Sequence, residues 1–276
     1  MLGIIDVGGG TRGIFGAGVL DCCLDKNIQF DYCSGVSAGA ANLISYVAKQ
    51  HGRCRTFYME YAFRDEYMGW SHFRESGDFI NLRYIYATLS NSGGENPLDY
   101  NAIEASSQRF VCTTTEAETG RPAYFTEADL ARDNYRIIAA SSCVPVLNRP
   151  VEIDGRPYVD GGVSDPIPVK KAREDGIERV VVILTRPKDY FRRARKDLYF
   201  ALRLRRKYPR LARAMANRAK TYNRSLREIL AEDGKDILIL APKSTAHMRT
   251  LTLNKDAMAA MYEEGYAMAQ RIEDWL

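Results

Sequence analysis

Two glycine-rich turns, each set between an apolar run and a helix-like stretch, constrain this chain more than anything else in it. Residues 2–7 read LGIIDV and lead into Gly8-Gly9-Gly10-Thr11-Arg12-Gly13, then a helix-like stretch to about Lys26. Residues 28–33 read as a second strand, followed by Gly35-Val36-Ser37-Ala38-Gly39 and a helix to about Gln50. Alternation of β and α over the first fifty residues predicts a parallel sheet covered by helices. Apolar runs at 179–185 and 236–240 suit buried parallel strands. Phe110–Thr114 and Pro122–Phe125 are further strand candidates, and Val151–Val159 reads as a hairpin about an Asp154-Gly155 turn. The last element is a helix from about Lys255, capped by Asn254, with Met258, Met261, Tyr262 and Gly265 on one stripe.

A length of 276 residues suffices for one large α/β domain or two small ones. No proline- or glycine-rich linker divides the elements, so the reading is one domain, 1–276, with a basic helical insertion at about 187–232. From Arg186 to Arg227 sixteen Lys/Arg meet only Asp189 and Asp197; since the whole chain is +4, the remainder is net −10. The basic runs Arg192–Lys196 and Arg203–Lys207 interleave with Leu198, Tyr199, Phe200, Leu202 and Tyr208. A helix of that kind can lie on an anionic membrane surface. A solvated face packed on the domain explains the same pattern, and nucleic acid is the least favoured partner. The first ten residues have no basic n-region and no long apolar h-region, and no apolar run approaches the length of a bilayer span. The expectation is a cytoplasmic protein with peripheral contact to the inner membrane surface. Six cysteines form no Cys-x-x-Cys pair and read as buried thiols, not as a zinc site.

The Gly-x-Ser-x-Gly turn lets a strand swing sharply into a helix and leaves the Ser37 oxygen at its tip. The helix N-terminus behind it favours developing negative charge. The first turn has two readings. Gly8-x-Gly10-x-x-Gly13 with Asp31 at the ribose-binding distance matches a dinucleotide fingerprint. Asp31, however, stands just before a serine-bearing turn that a nucleotide site does not need. The other reading is a donor loop, whose bare amides at Gly9 and Gly10 approach an oxyanion while Arg12 adds charge or fixes the loop, and a tight strand-to-helix turn with no further role explains the same glycines.

A serine hydroxyl also needs a base. His51, His72 and His247 lie in polar surroundings with no turn to aim them. An aspartate can replace histidine if burial raises its pKa. Asp154 starts a hairpin turn, Asp165 precedes Pro166 and reads as a turn former, and Asp6 sits in the first strand. Asp160 ends a hairpin strand and is followed by Gly161-Gly162, bare backbone that permits close approach, so it is the candidate base.

GGGTRG, GVSAG and DGG, in that order, together with IIAASSCVPVLNRPVEIDGRPYVDGGVSDPIPV around the third, resemble the bacterial patatin-like phospholipases. The likeness runs from residue 2 to about 185. It implies a three-layer α/β/α sandwich with a mostly parallel central sheet. It implies Ser37 as nucleophile, Asp160 as proton acceptor, and Gly8, Gly9, Gly10, Arg12 and Gly13 as the oxyanion loop. Gly35 and Gly39 would belong to the nucleophile elbow, Gly161 and Gly162 to the aspartate loop. Acyl-ester hydrolysis on lipids follows, without metal or cofactor. Two other functions stay open: an acyltransferase or non-lipid esterase using the same serine, and a non-catalytic membrane-surface binding protein that keeps the turns. The aromatic residues of 52–105, with Met59 and Met68, are candidates for an acyl pocket, though core packing explains them as well.

Overall fold

Each glycine turn sends its helix back across the sheet that its strand has just joined, which puts successive strands side by side. The computed structural model describes all 276 residues, Met1–Leu276. β1 (Leu2–Asp6) pairs in parallel with β2 (Tyr32–Val36), Asp6 opposite Gly35. The other strands are β3 (Arg109–Glu116), β4 (Pro122–Thr126), β5 (Val151–Ile153), β6 (Arg156–Asp160), β7 (Arg179–Ile183) and β8 (Ile237–Leu240). All belong to one eight-stranded sheet in the order β5-β6-β3-β2-β1-β7-β8, with β4 also on β3. From β3 to β8 neighbouring strands along this path are parallel, while β4, β5 and β6 pair antiparallel. The β5–β6 hairpin turns at Asp154 and Gly155, both left-handed at φ +49° and +73°, the conformation an Asp-Gly pair favours.

The second strand begins at Tyr32, later than the apolar pattern from Ile28 suggested. Ile28 and Phe30 are apolar because both are buried on the approach to the sheet. The chain reaches β1 only at Asp31, whose amide bonds to the Leu2 carbonyl.

The helices are α1 (Ile14–Asp25), α2 (Ala38–Val47), α3 (Arg53–Met59), α4 (Trp70–Ser76), α5 (Tyr100–Glu104) and α6 (Arg136–Ser141). They continue with α7 (Val169–Glu174), α8 (Arg195–Leu204), α9 (Pro209–Glu232), α10 (Lys255–Met268) and α11 (Arg271–Trp275). Alternate strand residues divide the core. Ile4, Val181 and Ile183 pack with Phe15 of α1, Leu43 of α2 and Met258 of α10. Ile5, Val182 and Ile239 pack with Ala172 of α7 and with Leu226 and Ile229 of α9. The sheet is thus buried on both faces, in a three-layer α/β/α sandwich, which is why its parallel strands carry unbroken apolar runs.

α9 starts with Pro209 at its first turn, where a missing N–H costs nothing. Leu211, Met215, Ala219, Tyr222, Leu226 and Ile229 recur at helical spacing and are buried. Each large apolar side chain on that stripe contributes about 1.5–3 kcal/mol. α8 packs on α9 and leaves Leu198, Tyr199 and Leu202 more than half exposed. No helix is long and apolar enough to cross a membrane. All six cysteines are buried and unpaired.

Candidate active site

Ser37 stands alone between β2 and α2, at φ +57° and ψ −133°. That conformation strains a residue with a Cβ by about 1–3 kcal/mol and persists only where the surroundings enforce it. The enforcement is visible. The Ser37 amide donates to Ser141 Oγ at 2.8 Å, and Ser141 Oγ donates to the Thr113 carbonyl at 2.7 Å. The flanking glycines let the turn close: a Cβ on Gly35 would lie 2.6 Å from the Ala40 nitrogen, and one on Gly39 2.7 Å from the Asp6 carbonyl carbon.

The first glycine turn wraps over the same helix end. Gly8, Gly9 and Gly10 all have positive φ, and a Cβ on Gly8 would lie 2.7 Å from the Gly39 nitrogen. Asp6, fully buried beneath, accepts from the Gly8 amide at 2.9 Å and from Asn42 Nδ2 at 2.8 Å. Burial raises the Asp6 pKa to about 6, although these two bonds pull the other way. The amides of Gly9 and Gly10 find no acceptor within the protein. Arg12 ties the loop down: its Nε donates to the Thr185 carbonyl and Nη1 to Thr250 Oγ1, both at 3.1 Å. Burial, and then the charge of Arg186, lower the Arg12 pKa to about 9. Gly13 lies behind the loop, where its carbonyl accepts from Asn42 at 2.8 Å.

Asp160 ends β6 beside this turn, 4% exposed. One carboxylate oxygen accepts from the Gly162 amide at 2.8 Å. Burial raises its pKa above the ordinary carboxylate value, against the charge of Arg218, the nearby Ser37 hydroxyl and the hydrogen bond from the Gly162 amide. Gly161 presses on Thr113: a Cβ there would lie 2.9 Å from the Thr113 Cγ2.

Ser37, Asp160, Gly8, Gly9, Gly10, Arg12 and Gly162 line one cavity of about 210 Å³. Part of its wall is apolar and comes from residues 54–86, including Phe57, Met68, Leu82 and Ile85. Another part is basic, formed by Arg12 with Arg186, Arg192 and Arg218. Arg218 Nε donates to the Gly162 carbonyl at 2.5 Å. The sequence reading missed these last three arginines, as it missed Asn42 and Ser141. For Arg218 a signal existed: it sits between Met215 and Tyr222 at helical spacing, on the edge of α9's buried stripe.

The remaining candidates lie elsewhere. His51 faces Asp25 at 3.3 Å, His72 faces Ser76 at 3.2 Å, His247 is exposed, and none lines the cavity. Asp165 is more than a turn former, since it accepts from the Tyr124 hydroxyl at 2.7 Å. Asp31 accepts from the Leu2 amide, at the end of β1 away from the glycine loop. That position removes the acid a dinucleotide site would need.

A family model described as patatin-like phospholipase matches residues 7–173, a stretch that contains both glycine turns and Asp160. A second, described as a domain of unknown function (DUF6363), matches residues 208–276. The chain is 33% identical over 194 residues to the uncharacterized protein YjjU of Escherichia coli, covering 69% of this chain and 53% of that protein. It is 28% identical over 189 residues to lysophospholipase nte1 of Aspergillus terreus, covering 66% of this chain and 12% of that protein. The chain therefore spans about half the length of the first relative and a small part of the second. Among solved structures, VipD from Legionella pneumophila aligns at a TM-score of 0.53 and 13% identity, over 99% of this chain and 66% of that one. That likeness concerns the fold alone.

Proposed function

This chain belongs to the patatin-like phospholipase family, and we propose that it is a serine acyl hydrolase in which Ser37 and Asp160 form the catalytic dyad. Family membership supports lipid hydrolysis in general, and the name of the fungal relative, a lysophospholipase, supports acyl esters of lipids as substrates. The observation that carries the proposal is the convergence in one cavity of the strained Ser37, the buried Asp160, two unsatisfied loop amides and an apolar wall.

In this mechanism Asp160 takes the proton of Ser37, and Ser37 Oγ attacks the ester carbonyl carbon. The carbonyl oxygen becomes an oxyanion held by the Gly9 and Gly10 amides. The bond to the leaving alcohol breaks, and Asp160 returns the proton to that oxygen. Water, deprotonated by Asp160, then attacks the acyl-serine carbonyl; the bond to Ser37 Oγ breaks, Asp160 returns the proton to that oxygen, and the fatty acid leaves. The raised pKa of Asp160 suits it to both directions of transfer. A fluorophosphonate probe tests the nucleophile directly: the adduct is expected on the peptide holding Ser37, and a folded protein that stays unlabelled would count against the proposal.

The exposed Leu198, Tyr199 and Leu202, set among the arginines and lysines of α8, support peripheral docking to an anionic membrane. Binding to anionic vesicles should weaken with salt and disappear when Arg195, Lys196 and Arg203 become glutamine. Equal binding to neutral vesicles would refute it.

A further inference from the structure

Three of the four arginines in the basic part of the cavity wall, Arg186, Arg192 and Arg218, lie beyond the stretch matched by the patatin-like family model. We infer that Arg186 and Arg192, with Arg12 and Arg218 beside them, form a head-group site that selects a net-negative phosphate ester over a zwitterionic one. This inference rests on the acyl-hydrolase reading of the same cavity.

Of the five arginines that line the cavity, Arg53 donates to Ser45, Ser90 and the Asn96 carbonyl, and the other four form the basic wall, where Asp197 lies within 4 Å of Arg192 and Arg218 and the charge of Asp160 acts on Arg218. Asp197 is already engaged: Arg192 donates to it from Nε at 2.7 Å and from Nη2 at 2.6 Å. Arg218 Nη1 lies 3.9 Å from the same carboxylate. Neither Arg12 nor Arg186 has a carboxylate partner. Arg186 donates to Thr245 Oγ1 at 3.2 Å and stacks over the Tyr190 ring at 4.5 Å, which fixes its plane and leaves other N–H groups free. With both aspartates ionised the wall still holds two uncompensated positive charges. Burial first, and then a neighbouring guanidinium, lowers the pKa of Arg12 (beside Arg186) and of Arg218 (beside Arg192).

Like charges gathered in a desolvated wall are costly unless an anion joins them. The planar fork of arginine matches the oxygens of a phosphate. An ammonium group, as in a choline or ethanolamine ester, meets the opposite situation. The one carboxylate free of a close ion pair is Asp160, which the reaction itself needs. The wall therefore offers a zwitterionic head group attraction for its phosphate and repulsion for its ammonium. A phosphate monoester or a phosphoglycerol ester meets attraction alone.

The test is kcat/KM for lysophosphatidic acid and for lysophosphatidylcholine of the same acyl chain, in wild type, Arg186→Gln and Arg186→Lys. Wild type should favour the phosphate monoester, and Arg186→Gln should lower that ratio about tenfold, the size of one charge-assisted hydrogen bond. Arg186→Lys should recover part of it. A ratio that stays the same in Arg186→Gln overturns the inference. Calorimetric binding of octyl phosphate, of a neutral octyl glycerol ether and of inorganic phosphate to Ser37→Ala separates the two readings. Tighter binding of octyl phosphate than of either comparison compound, lost in Ser37→Ala/Arg186→Gln, supports the head-group site even if no ester is turned over, in which case the hydrolase reading alone fails. Inorganic phosphate bound as tightly as octyl phosphate would make this a free-phosphate site. Octyl phosphate bound no better than the neutral ether would leave no anion site.

Discussion

Replacing Gly39 by alanine sets two physical effects against each other. Gly39 lies in the first turn of α2, where alanine improves helix propensity by no more than about 1 kcal/mol. Its Cβ, however, would lie 2.7 Å from the Asp6 carbonyl carbon and 2.8 Å from the Asp6 Cγ. Carbon atoms in contact need about 3.5–4.0 Å, so α2 must retreat from β1 by about 1 Å. Neither side can give cheaply, since Asp6 is fully buried and its carboxylate holds the Gly8 amide and Asn42. Overpacking of this kind costs about 1–3 kcal/mol. For a chain of this length that is a fall in Tm of about 2–10 °C. The same retreat moves Ser37 against the oxyanion loop, and a misplacement of about 1 Å costs about 100-fold in turnover. Gly39→Ala should therefore lose both, measured by thermal melting and by kcat for a p-nitrophenyl ester. A variant with wild-type kcat and an unchanged or higher Tm would show that propensity wins and that the elbow is not packed as argued.

Three further outcomes follow from the same geometry. Arg218 holds the Asp160 pKa down, so Arg218→Gln should move the acid limb of the kcat/KM profile to higher pH; an unmoved limb would separate the two residues. Asp6 has a folded pKa of about 6 against an ordinary value of 3.8, so the folded state binds the extra proton. Its contribution to stability is complete below about pH 4 and is lost as pH rises through 6, up to about 3 kcal/mol. The Tm of wild type should accordingly fall relative to Asp6→Asn between pH 4 and 7, and parallel curves would refute this. Ser141→Ala strips the Ser37 amide of its acceptor, which should cost about 1–3 kcal/mol in denaturant melts; no loss would mean the strained elbow needs no such support.

The two glycine turns were legible because each is local. A strand, a bare turn and a helix succeed one another within a dozen residues, and Asp160 followed by two glycines marks its own loop. What stayed hidden depends on packing at a distance. Ser141 reaches the Ser37 amide across 104 positions, and nothing around it distinguishes it from Ser142. The basic segment stood out as a run of charge, but charge alone does not tell an outward face from an inward one. α9 lies on the sheet through Tyr222, Leu226 and Ile229, and that carries Arg218 against Gly162 while Arg213 and Arg227 face solvent. The second strand was read too early because Ile28 and Phe30 are buried without pairing in the strand itself.

The most direct test of the dyad is turnover of a p-nitrophenyl ester and of a phospholipid by wild type, Ser37→Ala and Asp160→Asn, each shown to be folded by circular dichroism. Wild type should hydrolyse both substrates, and both variants should lose at least about 100-fold. Wild-type turnover in Asp160→Asn, or hydrolysis that survives Ser37→Ala, would contradict the dyad.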